Sequence, residues 1–497
     1  MSRARVHPRS IRAGNRVLLV TGGIAALLPL GACLAAPAAR GPAPAALDRA
    51  IASGDAQEEG SAAEERSAAA AEEGEDEGYG AEAAAESDSP AVHGFLAARS
   101  RSRWTEDADD HDVYAVAGVD AASSGADPWR FHVLGRGSWD VDGERGEQPF
   151  PDIEDTYGSS LNGRLYEAHA DIPAGERLDL LRAGRQIIHE TPTTAYFDGA
   201  RVETAPAGPT AAVLGVYGGL PVHLYESSST GDVIAGAYAR LRPWMRGQLR
   251  LDWMHLEDET RLGEHQNDLF ALGLRHRFGR NLRLEGEYSR LEDEDRDVAV
   301  RGLWFLPEEQ FSIRASHYRL LEPQTDLVNE INPFYNALAA REPYDQSQIQ
   351  VSKGFGERLE VAGGFDTRRV DDENDIGRFN RDFDRFYVTA ILLETLPADT
   401  ILSLTGEVWD SEGQDIETWG IDLENELDET LRASLGSYYS LYKYYLDSDS
   451  ERENVRTYYA EVRKKVTAAT ALSARYEYED EELDEYHTLR VGMTWRF

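Results

Sequence analysis

From about residue 129 to the end of the chain, apolar and polar positions alternate in short runs separated by turn-rich stretches. Residues 248–257 set Leu249, Leu251 and Trp253 on one side of an extended chain and Arg250 and Asp252 on the other, because successive strand side chains point to opposite faces. Residues 269–278 repeat the pattern, with Phe270, Leu272 and Leu274 against Gly273, Arg275 and Arg277. Residues 281–291 set Leu282, Leu284 and Tyr288 against Arg283, Glu285 and Glu287. Residues 311–320 set Phe311 and Ile313 against Ser312 and Arg314, and residues 470–479 set Leu472 and Tyr476 against Ser473, Arg475 and Glu477. The last nine residues place Leu489, Val491, Met493, Trp495 and Phe497 together, opposite Arg490, Thr494 and Arg496. Runs of about ten residues match the roughly 9–11 that a tilted strand needs to cross a bilayer.

The connections carry a second signal. Counted back from Phe497, long acidic links (479–485, 445–454, 409–415, 371–384, 322–346, 291–297) alternate with short ones (467–470, near Leu427, 396–399, 354–357, 307–309, 279–281). Membrane barrels have short turns at one rim and long loops at the other, whereas a soluble sandwich has no reason to keep that parity. The pattern predicts an all-β, transmembrane, antiparallel up-and-down β-barrel over 129–497. It holds roughly 20 strands, or 18 if residues 184–221 fold inward instead of spanning.

Ahead of the barrel, Arg3, Arg5, Arg9, Arg12 and Arg16 precede an apolar run over 17–30, the layout of a secretory signal. No stretch reaches the roughly 20 apolar residues of a helical span. From 34 to 111 the chain is mostly Ala, Glu, Gly and Ser, as in Glu72-Glu73-Gly74-Glu75-Asp76-Glu77. Such a segment buries too little apolar surface to offset its ordering entropy and reads as a disordered acidic periplasmic tether. Residues 112–128 read as a strand, a short plug or further linker. The net charge of −39 excludes a nucleic-acid partner, which calls for a basic footprint. The single Cys33 leaves no internal disulfide, and a closed ring of strands needs none.

Four short stretches resemble known families. The C-terminal Val491, Met493, Trp495 and Phe497 resemble the assembly signal of Gram-negative outer-membrane β-barrels, whose last strand ends on an aromatic. Leu181-Arg182-Ala183-Gly184-Arg185-Gln186 and Phe197-Asp198-Gly199-Ala200-Arg201 resemble porin-like barrels, where a Gly-Arg-Gln strand precedes an Asp-Gly-Ala turn. Leu30-Gly31-Ala32-Cys33 resembles a lipoprotein lipobox, which implies either lipidation at Cys33 or ordinary cleavage near Ala35. Together these imply an outer-membrane location with both termini periplasmic. The implied partners are membrane lipid and lipopolysaccharide, the barrel-assembly machinery and, through the tether, a periplasmic export partner.

In such porin-like barrels the arginine of the strand faces the lumen, which implies that role for Arg185 and Arg201, the alternative being a structural arginine paired with a carboxylate of a neighbouring strand. With these go Arg182 and, by strand parity, Arg250, Arg275, Arg283, Arg314, Arg432, Arg475 and Arg490. Opposing acids are Asp252, Glu285, Glu287 and Glu477, and mixed rings of this kind bias ion selectivity. Arginine-rich strands under acidic loops predict an anion-tolerant lumen with a negative mouth, the competing reading being that the charges mainly pair across strands. Asn329, Asn332, Phe334 and Tyr335, on the longest connection, are candidates for a constriction or cap. Tyr438 and Tyr442 share lumen parity, which suits a sugar-sliding surface, but the preferred reading is an interfacial girdle reached through a local register slip. His255, His276 and His317 fall at lipid-side or rim positions with no acid in sight. No cofactor or metal motif is present, and acidic loops support weak surface binding of divalent cations at most. The expected function is passive transport, by a porin-like channel for small solutes or a conduit for an exported polymer such as polysaccharide. A structural or adhesive barrel with a closed lumen is the alternative, and an outer-membrane hydrolase is disfavoured.

Overall fold

Period-two alternation maintained over ten or more residues can satisfy its backbone only by pairing with neighbours, and in a bilayer only a closed ring leaves no edge. The computed structural model has that form. It describes residues 91–497 except 107, 126–127, 143–149, 151–152, 154–158, 189–194, 223–230, 261–262, 323–342, 372–381, 397–399, 412–413, 446–449 and 482–484, and except the side chains of 258–260, 263–265, 394–396, 414, 441–445 and 450–453. The expected signal, Cys33 and tether up to residue 90 therefore lie outside the described residues, as do Asn329, Asn332, Phe334, Tyr335 and the side chain of Tyr442.

The first strands are β1 (Ala91–Trp104), β2 (Asp109–Ala122), β3 (Arg130–Asp140), β4 (Leu161–Asp171), β5 (Leu178–Ile188), β6 (Ala195–Thr204) and β7 (Val213–Pro221). Then come β8 (Val233–Leu241), β9 (Gly247–Thr260), β10 (Gly263–Phe278), β11 (Leu282–Leu291), β12 (Glu294–Leu306), β13 (Phe311–Leu320), β14 (Tyr344–Phe355) and β15 (Leu359–Val370). The ring continues through β16 (Phe383–Leu396), β17 (Thr400–Ser411), β18 (Gln414–Asp428), β19 (Leu431–Tyr445), β20 (Ser450–Thr467), β21 (Thr470–Asp480) and β22 (Glu485–Arg496). Every strand pairs antiparallel with its sequence neighbours, and β1 pairs with β22 from Phe95↔Arg496 to Trp104↔His487. The seam continues past the strand end, where Gly94 and Phe497 exchange backbone hydrogen bonds of 2.9 and 3.0 Å.

The sheet has 22 strands rather than 18 to 20, and the difference lies at its start. The strands β3 to β22 occupy the expected region. The additional hairpin β1–β2 covers residues assigned to the tether and to the uncertain segment. It is held by ladder bonds and by inward ion pairs, Arg101 Nη2–Asp112 Oδ2 at 2.5 Å and Arg103 Nε–Asp110 Oδ2 at 2.8 Å. Its outer positions carry small residues such as Ser100, Ser102, Ala115 and Ala117, which mute the hydrophobic alternation. The stretch 184–221 spans, in β5, β6 and β7. Several links expected to be long acidic loops are instead strand: 292–293 joins β11 to β12, and 446–449 joins β19 to β20. There the ladder continues where the sequence no longer alternates, so the alternation ceases while the pairing does not.

Burial is inverted relative to a soluble protein. Outward Leu251, Phe270, Leu272, Leu274, Val491 and Met493 are exposed, whereas inward Asp112, Glu203, Glu407 and Glu477 are buried. Exposed apolar surface on this scale is stable only against lipid. Aromatic pairs fringe the belt at both rims. Trp495–Phe497, Trp129–Phe131 and Trp304–Phe311 lie on the short-turn side, and Trp104, Tyr476, Tyr478 and His487 cluster on the other. The assembly-signal residues Val491, Met493, Trp495 and Phe497 all sit exposed on the outer face.

Candidate functional site: the lumen wall

Residues paired across an antiparallel ladder share a face, so the register assigns each candidate a side. Arg182 pairs with Arg201, Arg240 with Arg250, Arg275 with Glu285, Arg314 with Gln350 and Arg475 with Arg490. Followed around the ring, these rows place Arg182, Arg201, Arg250, Arg275, Arg283, Arg314, Arg432, Arg475 and Arg490 toward the lumen. Arg185 is the exception: it faces outward, contrary to the lumen reading and in line with the alternative of a structural arginine paired with a neighbouring strand. It lies three residues from Arg182, so a regular strand cannot turn both inward. Its partners are also outside. Nε and Nη2 each donate to Asp198 at 2.8 Å, and Nη1 donates to the Leu165 carbonyl at 3.0 Å. That carbonyl borders a β-bulge between β3 and β4, so Arg185 serves the backbone of an irregular pairing.

Most of the inward arginines named above are matched by carboxylates. On β6 to β9, Glu203 accepts from Arg201, Tyr238 and, at 2.5 Å, Arg240, while Arg250 Nη2 meets Asp252 at 2.7 Å. Arg275 and Arg283 converge on one oxygen of Glu285, each at 2.5 Å. Arg182 Nε meets Asp171 at 2.6 Å, and Arg432 Nη2 meets Glu426 at 2.7 Å. Arg475 lies between Glu477 (2.7 Å) and Glu461 (3.2 Å), and Glu477 also accepts from Arg490. Sequence reasoning did not select Arg385, which sits between Glu407 (2.6 Å) and Asp366 (2.8 Å) with its guanidinium 5.1 Å from the Trp409 ring. It also missed Arg101 and Arg103, because the first hairpin was not read as barrel. Pairing across strands, as the competing reading has it, together with pairing between alternate residues of one strand describes this wall, and the pairs set local dipoles around the lumen instead of a belt of net positive charge.

Parts of the interior are filled. Leu134, Phe197, Tyr217, Ile234, Met254 and Leu256 are buried together on lumen-facing positions. Phe150, on the connection between β3 and β4, is buried edge-on against inward Tyr486 with ring centroids 5.7 Å apart. The Arg103 guanidinium stands 5.2 Å from the Phe150 ring. Tyr438 faces inward, 6.1 Å from the Tyr459 ring, with no register slip at that point, so it is no girdle residue.

The outward histidines have partners that the sequence did not reveal. His255 Nδ1 lies 3.1 Å from Asp268, His276 accepts from the Trp244 indole at 2.9 Å, and His317 Nδ1 lies 2.9 Å from Ser347. Asp345 is 3.6 Å from the other nitrogen of His317 and is also engaged by Arg319 at 3.3 Å. A carboxylate at that distance does not hydrogen-bond the ring, so the trio lacks the oriented base of a nucleophile system. On the same rim, Asp109, His111 and Asp142 bring ligand atoms within 4.8 Å of one another on largely exposed residues.

No protein-family model matches the chain, and no curated protein matches its sequence. Among solved structures, the chain is similar to OccAB3 of Acinetobacter baumannii, at 10% identity and TM-score 0.40 over 82% of this chain and 99% of that one. It is also similar to the P pilus usher PapC translocation pore, at 11% identity and TM-score 0.45 over 82% and 99%. A BenF-like porin of Pseudomonas fluorescens Pf-5 matches at 10% identity and TM-score 0.41 over 82% and 98%. Each is a distant likeness in fold, and the membrane-barrel character of this chain stands on its own closed sheet and inverted burial.

Proposed function

We propose that this chain is an outer-membrane channel of porin type giving passive passage to small polar solutes, with both termini in the periplasm. One observation carries the reading: the closed ring of 22 strands keeps charged pairs on its inner wall and apolar residues on its outer face. A barrel of that size encloses an aqueous interior unless something plugs it. Because most of the lumen arginines are matched by carboxylates, the pore is anion-tolerant without being strongly anion-selective. Acidic links at the far rim meet lipopolysaccharide through divalent cations, and the C-terminal aromatic signal is what the assembly machinery reads. Passage of an exported polymer is a narrower version of the same reading, with the tether that begins at residue 34 reaching a periplasmic partner.

A specific observation favours a second reading. The inward apolar cluster and the seated Phe150 fit a structural or adhesive barrel with a closed lumen. Planar-bilayer recording of the purified protein decides between them. Steady single-channel currents support the channel, and silence of correctly folded protein supports the closed barrel.

A further inference from the structure

One row of the sheet runs His93↔Asp120↔His132↔His169↔Gly184 across β1 to β5. All of these positions share the inward face, near the rim that holds the C-terminus. Glu167 stands beside the row on β4, also inward and buried. We infer that His132, Glu167 and His169 form a binding site for a divalent first-row transition ion in the lumen wall.

Two features support it. The first is that both rings present a nitrogen to the same carboxylate at separations too long for hydrogen bonds. His132 Nε2 lies 3.7 Å from Glu167 Oε1, and His169 Nδ1 lies 3.9 Å from Glu167 Oε2. Ligand atoms sharing a tetrahedral ion with bonds near 2.0–2.1 Å stand about 3.4 Å apart, so closure takes side-chain rotations that draw the rings, now 5.2 Å apart by centroids, toward the ion. The second is that the His132 ring is held from behind, its Nδ1 lying 2.7 Å from Asp120 Oδ1. An oxygen acceptor on the far nitrogen fixes the tautomer that leaves the near nitrogen's lone pair toward a metal, the usual outer arrangement of a histidine ligand.

His169 makes the case distinctive. Its side chain is only 6% exposed, and its Nδ1 is buried without a hydrogen-bond partner. A buried nitrogen left in that state is destabilising unless something engages it. Imidazole with carboxylate suits Zn2+, Co2+ or Ni2+ rather than Mg2+ or Ca2+. Water in the lumen completes the coordination.

The test uses the full-length protein refolded in detergent and carrying His111→Ala, which removes the rim group. Zn2+ binding is measured calorimetrically, and Co2+ is followed by its visible absorption. The expected result is one equivalent of Zn2+, a cobalt spectrum of tetrahedral type, and at least a tenfold loss of affinity in H132A and in H169Q. Asp120→Asn, which removes only the outer hydrogen bond, is expected to weaken binding about 10–100-fold. Heat-modifiable gel mobility establishes that each variant is folded. His132 is about a quarter exposed, so H132A reports on binding even where H169Q does not fold. Unchanged Zn2+ affinity in folded H132A overturns the site. Because binding is read without conductance, this result is independent of whether the barrel conducts.

Discussion

At the residue scale, the wall consists of buried charges that depend on one another. Glu203 holds Arg201, Arg240 and Tyr238 at once, with only 6% of its side chain exposed. Removing one partner of such a group strands the others, so Glu203→Ala is expected to destabilise the barrel by about 3–5 kcal/mol, measured by urea unfolding in lipid vesicles. The exposed pair Lys464–Asp428 at 3.4 Å gives the contrast: Asp428→Asn is expected to change stability by about 1 kcal/mol or less. Most lumen arginines were legible from alternation alone. Arg185 was not, because the resemblance that selected it ignores the three-residue spacing to Arg182. The histidine row was visible only in hindsight, as the alternation Glu167-Ala168-His169-Ala170-Asp171 that puts three polar side chains on one face.

At the element scale, the two faces of one strand respond oppositely to the same substitution. Leu274 sits mid-belt on the outer face of β10, between inward Gly273 and Arg275. Leu274→Arg is expected to cost about 2–4 kcal/mol as a charge placed against hydrocarbon, seen as a loss of folded fraction in vesicles. Gly184 marks a different constraint. Its φ is +122°, and a Cβ there would stand 2.2 Å from the Ala168 carbonyl oxygen. Gly184→Ala is therefore expected to break the pairing of β4 with β5, which hydrogen exchange would register as lost protection over 168–171 and 182–185. Strands with large outer residues, such as β9 to β11, announced themselves in the sequence. The first hairpin, with Ser100, Ser102, Ala115 and Ala117 outside, has almost no hydrophobic amplitude, and only the partner strand reveals it.

At the scale of the whole molecule, the side on which each connection emerges was readable because hairpins alternate rims regardless of loop length. Strand number was not, since it depends on where the ring starts. The matched charges of the lumen lead to an expected outcome: in a tenfold KCl gradient the reversal potential should fall well short of the ideal value for either ion. A near-ideal cation potential would contradict an anion-tolerant lumen. Neutralising Arg385 by Arg385→Gln leaves Asp366 and Glu407 without their shared cation, and is expected to shift that potential toward cation preference.

The ladder joining β1 to β22 brings together residues nearly four hundred positions apart. Contacts that distant form last, after the intervening hairpins have paid their loop entropy. Until then the growing sheet carries two raw margins, one at each end of the chain, and either can zip onto a neighbouring molecule as readily as onto its own counterpart. A chain shortened to begin after Trp104 keeps that exposure permanently on β22. It should accumulate as linked multimers rather than as leaky monomers, which gives the fourteen residues of β1 a role as the clasp of the ring.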